Sequence, residues 1–435
     1  SNIICSNTFG ANRTKLTGSG ATVQQVIPAA IQCARRAAAG KALVALDLGP
    51  TGQMLEPTGS LTFEQAYDLY AEQVDAGQEA DLILIETMTD LYEIRAAVLA
   101  AKEHGNGKPV IALMTFEHTG RTFTGCSVSA MALTLEGLGV DAMGINCSIG
   151  PDELYPVVEE LCRWTTLPLL IKPNAGLPDP VTNQYNVSSA EFARSMTRIA
   201  KLGVKLLGGC CGTTPDYIRA VREAVADLSF TPRQVQVPAA VCSYSRTVAI
   251  DRPRVIGERI NPTGKKLFKE ALLRGDIDYI LGQAITQVHG GADILDVNVG
   301  LPSIDERDMM VRTVKALQGV VDVPLQLDST MPKVLEAALR IYNGKPIVNS
   351  VNGEEKSLST VLPLVKKYGA AVVGLTLDEQ GIPKTAEGRF QIAKRILDRA
   401  LALGIRREDV YIDCLTLTVS AEQDGAVQTL SALHR

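Results

Sequence analysis

The residues best equipped for chemistry in this chain are two adjacent cysteines framed by three glycines, in Gly208-Gly209-Cys210-Cys211-Gly212-Thr213-Thr214-Pro215. They follow an apolar run, Val204-Lys205-Leu206-Leu207, and precede Asp216–Val221, which reads as a helix. Successive side chains of a strand point to opposite faces, so a regular strand would aim the two sulfurs apart. Glycine admits backbone angles that other residues avoid, and Gly208, Gly209 and Gly212 are expected to let both thiolates converge. Converging soft sulfur donors suit a metal, with zinc the default. The pair alone fits small buried core residues equally well, because cysteine is among the most buried types and common zinc patterns space their ligands. A third cysteine favours the metal: Cys147 follows the strand-like run Asp141–Asn146 and precedes Ser148-Ile149-Gly150-Pro151-Asp152-Glu153, a turn opening a helix.

A second constellation lies further along. Glu258, Asn261, Asp296, Asn298, Asp328, Asn349, Asn352 and Asp413 all fall at or near the ends of strand-like runs. Carboxylates and amides gathered at one mouth, with few cations, suit a neutral heterocycle rich in donors and acceptors rather than a phosphate. Any one of them could be a helix cap. Repetition on five strands is not explained that way, since caps do not require carboxylates inside a strand.

These side chains need a scaffold, and the sequence alternates strand and helix. Seven strands are expected in the first half: Ile3–Ser6, Ala42–Leu46, Leu82–Ile85, Val110–Met114, Ala142–Ile145, Pro168–Ile171 and Val204–Leu207. Helix patterns such as Phe63–Tyr70 and Leu91–Val98 separate them. Several strands end in polar or glycine-containing stretches: Asp47-Leu48-Gly49-Pro50, Glu86-Thr87-Met88, Asn146-Cys147-Ser148 and Lys172-Pro173-Asn174-Ala175-Gly176. Residues 229–252, with Pro232 and Pro238 and no clear period, read as a linker. Six more strands begin at Val255, Ile294, Pro324, Pro346, Ala371 and Val410. Short strands buried on both faces and alternating with helices mean parallel sheets, and in parallel barrels chemistry gathers at the C-terminal strand ends. The expected class is α/β, with two (β/α)8 TIM-type barrels in tandem. Residues 1–228 form the first and 253–435 the second. The first is one strand short and the second two, so both ends of the chain read as clipped.

Composition narrows the class. A chain of 435 residues fits two domains, and 46% hydrophobic with 21% charged residues is ordinary for a globular protein. The net charge of -5 argues against non-specific nucleic-acid binding. No apolar run approaches the ~20 residues that span a bilayer, and no signal peptide is evident, so neither a membrane nor secretion is expected. Nine cysteines without a secretory signal read as reduced thiols, which places the chain in the cytoplasm. Four histidines, at 104, 118, 289 and 434, leave little for a histidine-based metal site.

Together the motifs resemble known families. Gly144-Ile145-Asn146-Cys147-Ser148-Ile149-Gly150-Pro151 and the double-cysteine stretch look like the zinc-ligand motifs of homocysteine S-methyltransferase domains. Ser6-Asn7-Thr8-Phe9-Gly10-Ala11-Asn12-Arg13 is similar to their early strand-loop motif. Val255–Lys265 with the Asp296, Asp328, Asn349 and Asp413 strands resembles a pterin-binding domain of the methyltetrahydrofolate type. In this order the two resemble the N-terminal half of the cobalamin-dependent methionine synthases, over essentially the whole chain.

The resemblance implies a Cys147–Cys210–Cys211 zinc site with a fourth position for the homocysteine thiol, which a metal would deprotonate. It implies that the thiolate takes its methyl group from cobalamin methylated by 5-methyltetrahydrofolate. It places Asn174 near the metal, Glu86 and Thr87 at the amino-acid end of homocysteine, and Asp328, Asn349 and Asp413 on the pterin. Glu258 and Asn261 would lie near the folate and cobalamin approach, with Asp296 and Asn298 in the same folate set. For Glu86, a charge at a helix N-terminus is an equal alternative. The family's N5-contacting Asn is expected beyond Arg435, and the first strand of its homocysteine barrel before Ser1. No Asp-x-His-x-x-Gly cobalamin signature occurs, so a cobalamin-binding domain or corrinoid protein is expected to supply that cofactor. Two other readings stand beside this one: a cobalamin-independent homocysteine methyltransferase using an onium donor, and an inactive fragment or corrinoid-docking module.

Overall fold

Every strand expected from the alternation forms in the computed structural model, which describes residues 1–182, 184–417 and 423–435. The chain divides into two compact units, Ser1–Val237 and Pro238–Arg435.

In the first unit the strands are β1 (Ile3–Cys5), β2 (Leu43–Leu48), β3 (Leu82–Met88), β4 (Val110–Met114), β5 (Ala142–Asn146), β6 (Leu169–Lys172) and β7 (Leu206–Leu207). They make one parallel sheet in chain order, as short crossover connections dictate. The intervening helices start on local signals. Thr62 and Gln65 form a capping box ahead of Phe63–Ala76, Ser188 and Glu191 do so ahead of Ser189–Lys201, and Pro151 and Pro215 open their helices at the first turn.

This sheet is strongly curved. Ala45, Leu82, Leu84, Ile111, Leu113, Ala142 and Leu170, from β2 to β6, share one buried cluster, and Ile3 of β1 and Leu206 of β7 pack against it. Lys172 at the end of β6 pairs with Glu86 of β3. With two strands between them a flat sheet would hold β3 and β6 about 14 Å apart at ~4.8 Å per strand. A lysine side chain does not bridge that, so the C-terminal strand ends face a common centre.

The second unit opens with a hairpin, β8 (Ala240–Ser243) and β9 (Thr247–Ala249). Its parallel sheet comprises β10 (Ile256–Ile260), β11 (Ile294–Val297), β12 (Leu325–Asp328), β14 (Ile347–Asn352), β15 (Ala371–Leu375) and β16 (Val410–Asp413), again in chain order. A short strand, β13 (Gly344–Lys345), instead pairs antiparallel with β8. Val241 and Val248 of the hairpin pack on Ile294, Ile347 and Ala371, the first residues of β11, β14 and β15. The hairpin thus covers the N-terminal end of the sheet, opposite the polar strand ends. The stretch 229–252, expected to be a linker, therefore carries structure in its second half. Its apolar residues are spent on a plug rather than on a periodic strand or helix face, which hid them from a periodicity argument.

No helix among the described residues is long and apolar enough to cross a membrane.

Candidate functional site

Two loops at the C-terminal edge of the first sheet bring the three expected cysteines together. Their sulfurs lie within 4.8 Å of one another, with Cys147 and Cys211 at 3.9 Å. Cys147 and Ser148 both adopt left-handed backbone angles, φ 65° and 67°, where non-glycine residues are uncommon and cluster at functional sites. On the other loop only Gly212 uses the left-handed freedom expected of all three glycines, at φ 78°. Gly208 and Gly209 serve closeness instead: a Cβ there would meet the Lys172 side chain at 2.8 Å and that of Thr213 at 2.5 Å.

The segment after β6 laces the two cysteine loops together. Cys147 N donates to the Lys172 carbonyl at 3.0 Å and Cys210 N to the Pro173 carbonyl at 2.9 Å. Asn174 uses both ends of its amide, donating to the Ser148 carbonyl at 3.1 Å and accepting from Cys211 N at 3.0 Å. It also lies close enough to the Cys147 sulfur to help hold its pKa down. A hydrogen bond from Cys210 is the main cause that pulls the Cys147 thiol down to about 5. That same bond pushes Cys210 above the ordinary thiol range, and burial does so for Cys211. One sulfur thus carries charge at the others' expense, and a cation would let all three ionise.

Glu86 and Thr87 lie near the C-terminal end of β3, beside this cluster. Thr87, at φ 63°, is locked by Asn146, which accepts from Thr87 N and donates to Thr87 Oγ1, both at 2.8 Å. The same Asn146 amide lies 3.8 Å from the Cys210 sulfur. Glu86 is buried and ion-paired with Lys172. It does not serve a helix N-terminus; Asp90 caps the helix Leu91–His104 by accepting from Tyr92 N at 2.8 Å. Asp47 of β2 completes the group, its carboxyl pushed up to about 8 by burial and then by the facing Glu86 charge. Burial works against the Lys172 ammonium, but Cys5, Glu86 and Asp47 outweigh it and raise its pKa. Asn146, Asp47 and Lys172 were legible only as polar strand ends. Nothing in the sequence pairs them.

In the second unit most of the expected polar residues cohere. Asn298 donates to Asp328 at 2.9 Å, Asn261 to Glu258 at 3.1 Å, and Asn349 sits in register opposite Asp328. Asp296 accepts from Gln326 at 2.7 Å, a partner that sequence reasoning missed. Burial is the main cause that lifts the Asp296 carboxyl to about 7, and burial also raises Asp328. Four residues spend an oxygen on turning the chain: Asn261, Asn298, Asn352 and Asp413 accept from the backbone N–H two residues on. For Asn352 and the exposed Asp413 that local bond is the side chain's visible engagement, so at those two positions the side chain turns the chain rather than capping a helix; the helix Glu355–Tyr368 has Glu354 as its N-cap.

Two stretches of the chain each match a known family. Residues 1–225 match the family described as homocysteine S-methyltransferase, and 257–435 that of the pterin-binding enzymes. The chain belongs to the homocysteine S-methyltransferase family. It is similar to the methionine synthase of Mycobacterium leprae (strain TN), 35% identical over 420 residues, which takes in 89% of this chain and 34% of that protein. The methionine synthase of Mycobacterium tuberculosis (strain ATCC 25618 / H37Rv) matches at 35% over 411 residues with the same shares. The chain thus spans about a third of the length of these curated relatives. Among solved structures, the metallated homocysteine methyltransferase MmuM from Escherichia coli superposes with a TM-score of 0.44 at 23% identity, covering 51% of this chain and 79% of that one.

Proposed function

We propose that the chain takes part in cobalamin-dependent methyl transfer from 5-methyltetrahydrofolate to homocysteine, forming methionine and tetrahydrofolate. The observation that carries this reading is the convergence of Cys147, Cys210 and Cys211 at the strand ends of a unit that belongs to the homocysteine S-methyltransferase family. Three sulfurs within 4.8 Å of one another are a donor set that fits zinc. Zinc held there would supply Lewis-acid activation of a thiol, whose pKa of about 8.5 otherwise leaves it mostly protonated at neutral pH. Glu86 and Thr87 meet the amino-acid end of homocysteine, and Asn174 braces the cysteine loops beside its sulfur.

In the pterin-binding unit, Glu258, Asn261, Asp296, Asn298, Asp328, Asn349 and Asp413 form the folate-facing mouth. Asp328 and Asp413 offer acceptors to the pterin ring, and the Asp296 carboxyl, held near neutrality by burial, can donate as well as accept. Both curved or parallel sheets are segments of (β/α)8 barrel walls, which explains why the polar residues gather at their C-terminal edges. Cobalamin would be presented by a domain or corrinoid protein outside residues 1–435. The nine cysteines of the chain, none of them in a disulfide, support a reading in the reducing cytoplasm.

Metal analysis of the purified chain tests the thiol half. One zinc per chain, lost in Cys210→Ala, is the expected result; a folded wild type without zinc sinks it. Donor dependence tests the folate half. Methyl transfer to homocysteine should require 5-methyltetrahydrofolate and an added corrinoid, whereas transfer from a sulfonium donor alone would favour the cobalamin-independent reading.

A further inference from the structure

The mouth of the first sheet holds charges that sulfur chemistry does not require. Cys5 Sγ and one carboxylate oxygen each from Asp47 and Glu86 lie within 4.8 Å of one another. Both acids are buried, at 6% and 7% exposure. Lys172 pairs with Glu86, but Asp47 Oδ1 is buried without any hydrogen-bond partner. Leaving a buried carboxyl oxygen bare is costly, so the group as it stands lacks one hydrogen-bond donor at Asp47 Oδ1. It also adjoins the thiol site directly, because the Lys172 carbonyl holds Cys147 N at 3.0 Å.

We propose that Asp47 and Lys172 read the amino-acid end of the thiol substrate: Asp47, with Glu86, takes the α-ammonium, and Lys172, released from Glu86, takes the α-carboxylate. This rests on the homocysteine reading of the cysteine site. The physical logic is ion-pair exchange. A zwitterion adds no net charge to the buried group, so each carboxylate gains or keeps a cation and each ammonium an anion. A thiol lacking either group must leave the Lys172–Glu86 pair intact or break it without compensation. The selectivity for an α-amino-acid thiol over a plain thiol then lies in residues that touch neither the sulfur nor the metal. A divalent ion at Cys5, Asp47 and Glu86 is the competing occupant, and the adjacent Lys172 ammonium disfavours it by like-charge repulsion.

Calorimetric binding to the zinc-loaded chain tests this with three thiols: homocysteine, 4-mercaptobutyrate (no ammonium) and 3-aminopropanethiol (no carboxylate). Lys172→Met should weaken homocysteine and 4-mercaptobutyrate by about 10- to 100-fold, the range of one charged hydrogen bond, while 3-aminopropanethiol stays within about threefold. Asp47→Asn should do the reverse, weakening homocysteine and 3-aminopropanethiol only. Lys172→Arg should retain most of the homocysteine affinity. Equal loss of all three thiols in both variants, or no loss in either, would overturn the proposal. So would a second zinc per chain that disappears in Asp47→Asn. Wild type that binds zinc but no thiol at all would instead remove the methyl-acceptor reading on which the proposal stands.

Discussion

Asn146 spends one amide on two neighbours, fixing Thr87 in a left-handed conformation and reaching the Cys210 sulfur. Groups that orient metal ligands in this way typically govern affinity by 10- to 100-fold. Asn146→Ala should therefore weaken zinc binding by about tenfold in competition with a chromophoric chelator, while zinc stoichiometry at saturation stays unchanged. Asp296 makes a prediction of a different kind. Its folded carboxyl titrates at about 7 against about 3.9 in an unfolded chain, so between those values the folded state holds the extra proton. Stability therefore falls as pH rises through that window and is flat above it. Asp296→Asn should abolish this slope, and at pH 8 the variant should be more stable than wild type by an amount on the order of 4 kcal/mol at most. Denaturant melts of both proteins from pH 4 to 8 decide it; parallel curves would mean the carboxyl is solvated. Residue types were readable at this scale, since Cys147, Cys210, Cys211 and Asp296 all stood out. Partners were not, because Gln326 reads as any strand glutamine until it donates to Asp296.

At the level of elements, the loop carrying Cys210 and Cys211 depends on Gly212. Its φ is 78°, and a Cβ there would meet the Tyr185 ring at 2.3 Å. Gly212→Ala should cost roughly 1–3 kcal/mol in the first unit's unfolding transition and weaken zinc retention on dialysis. A larger effect is expected at β13. Lys345 pairs with Asp409 at 2.7 Å, with side chains only 2% and 8% exposed. Lys345→Met would leave Asp409 buried and uncompensated, a loss of about 3–5 kcal/mol read as a lowered denaturant midpoint. Replacing both partners by apolar residues should recover most of it. Alternation and turn residues revealed the thirteen main strands because two-face burial and caps are local signals. The β8–β9 hairpin escaped them: its burial comes from the ends of β11, β14 and β15, which no local period encodes.

Across the whole molecule, two separately packed units should respond to two separate ligands. Chelation of zinc is expected to lower only the first of two calorimetric transitions, and 5-methyltetrahydrofolate to raise only the second, because a ligand stabilises the unit that binds it. A single transition moved by both would show that the units unfold as one. The sequence by itself determined the class of each unit, the edge at which polar residues collect, and the three sulfurs, since all of these follow from strand-helix alternation and residue type. Only the tertiary structure decided which charges meet. Lys172 and Glu86 are 86 residues apart and join because the sheet curls, while Asp47 Oδ1 is left without a donor beside them. Curvature sums small twists over many strands, so the pairing it creates is written in no single segment.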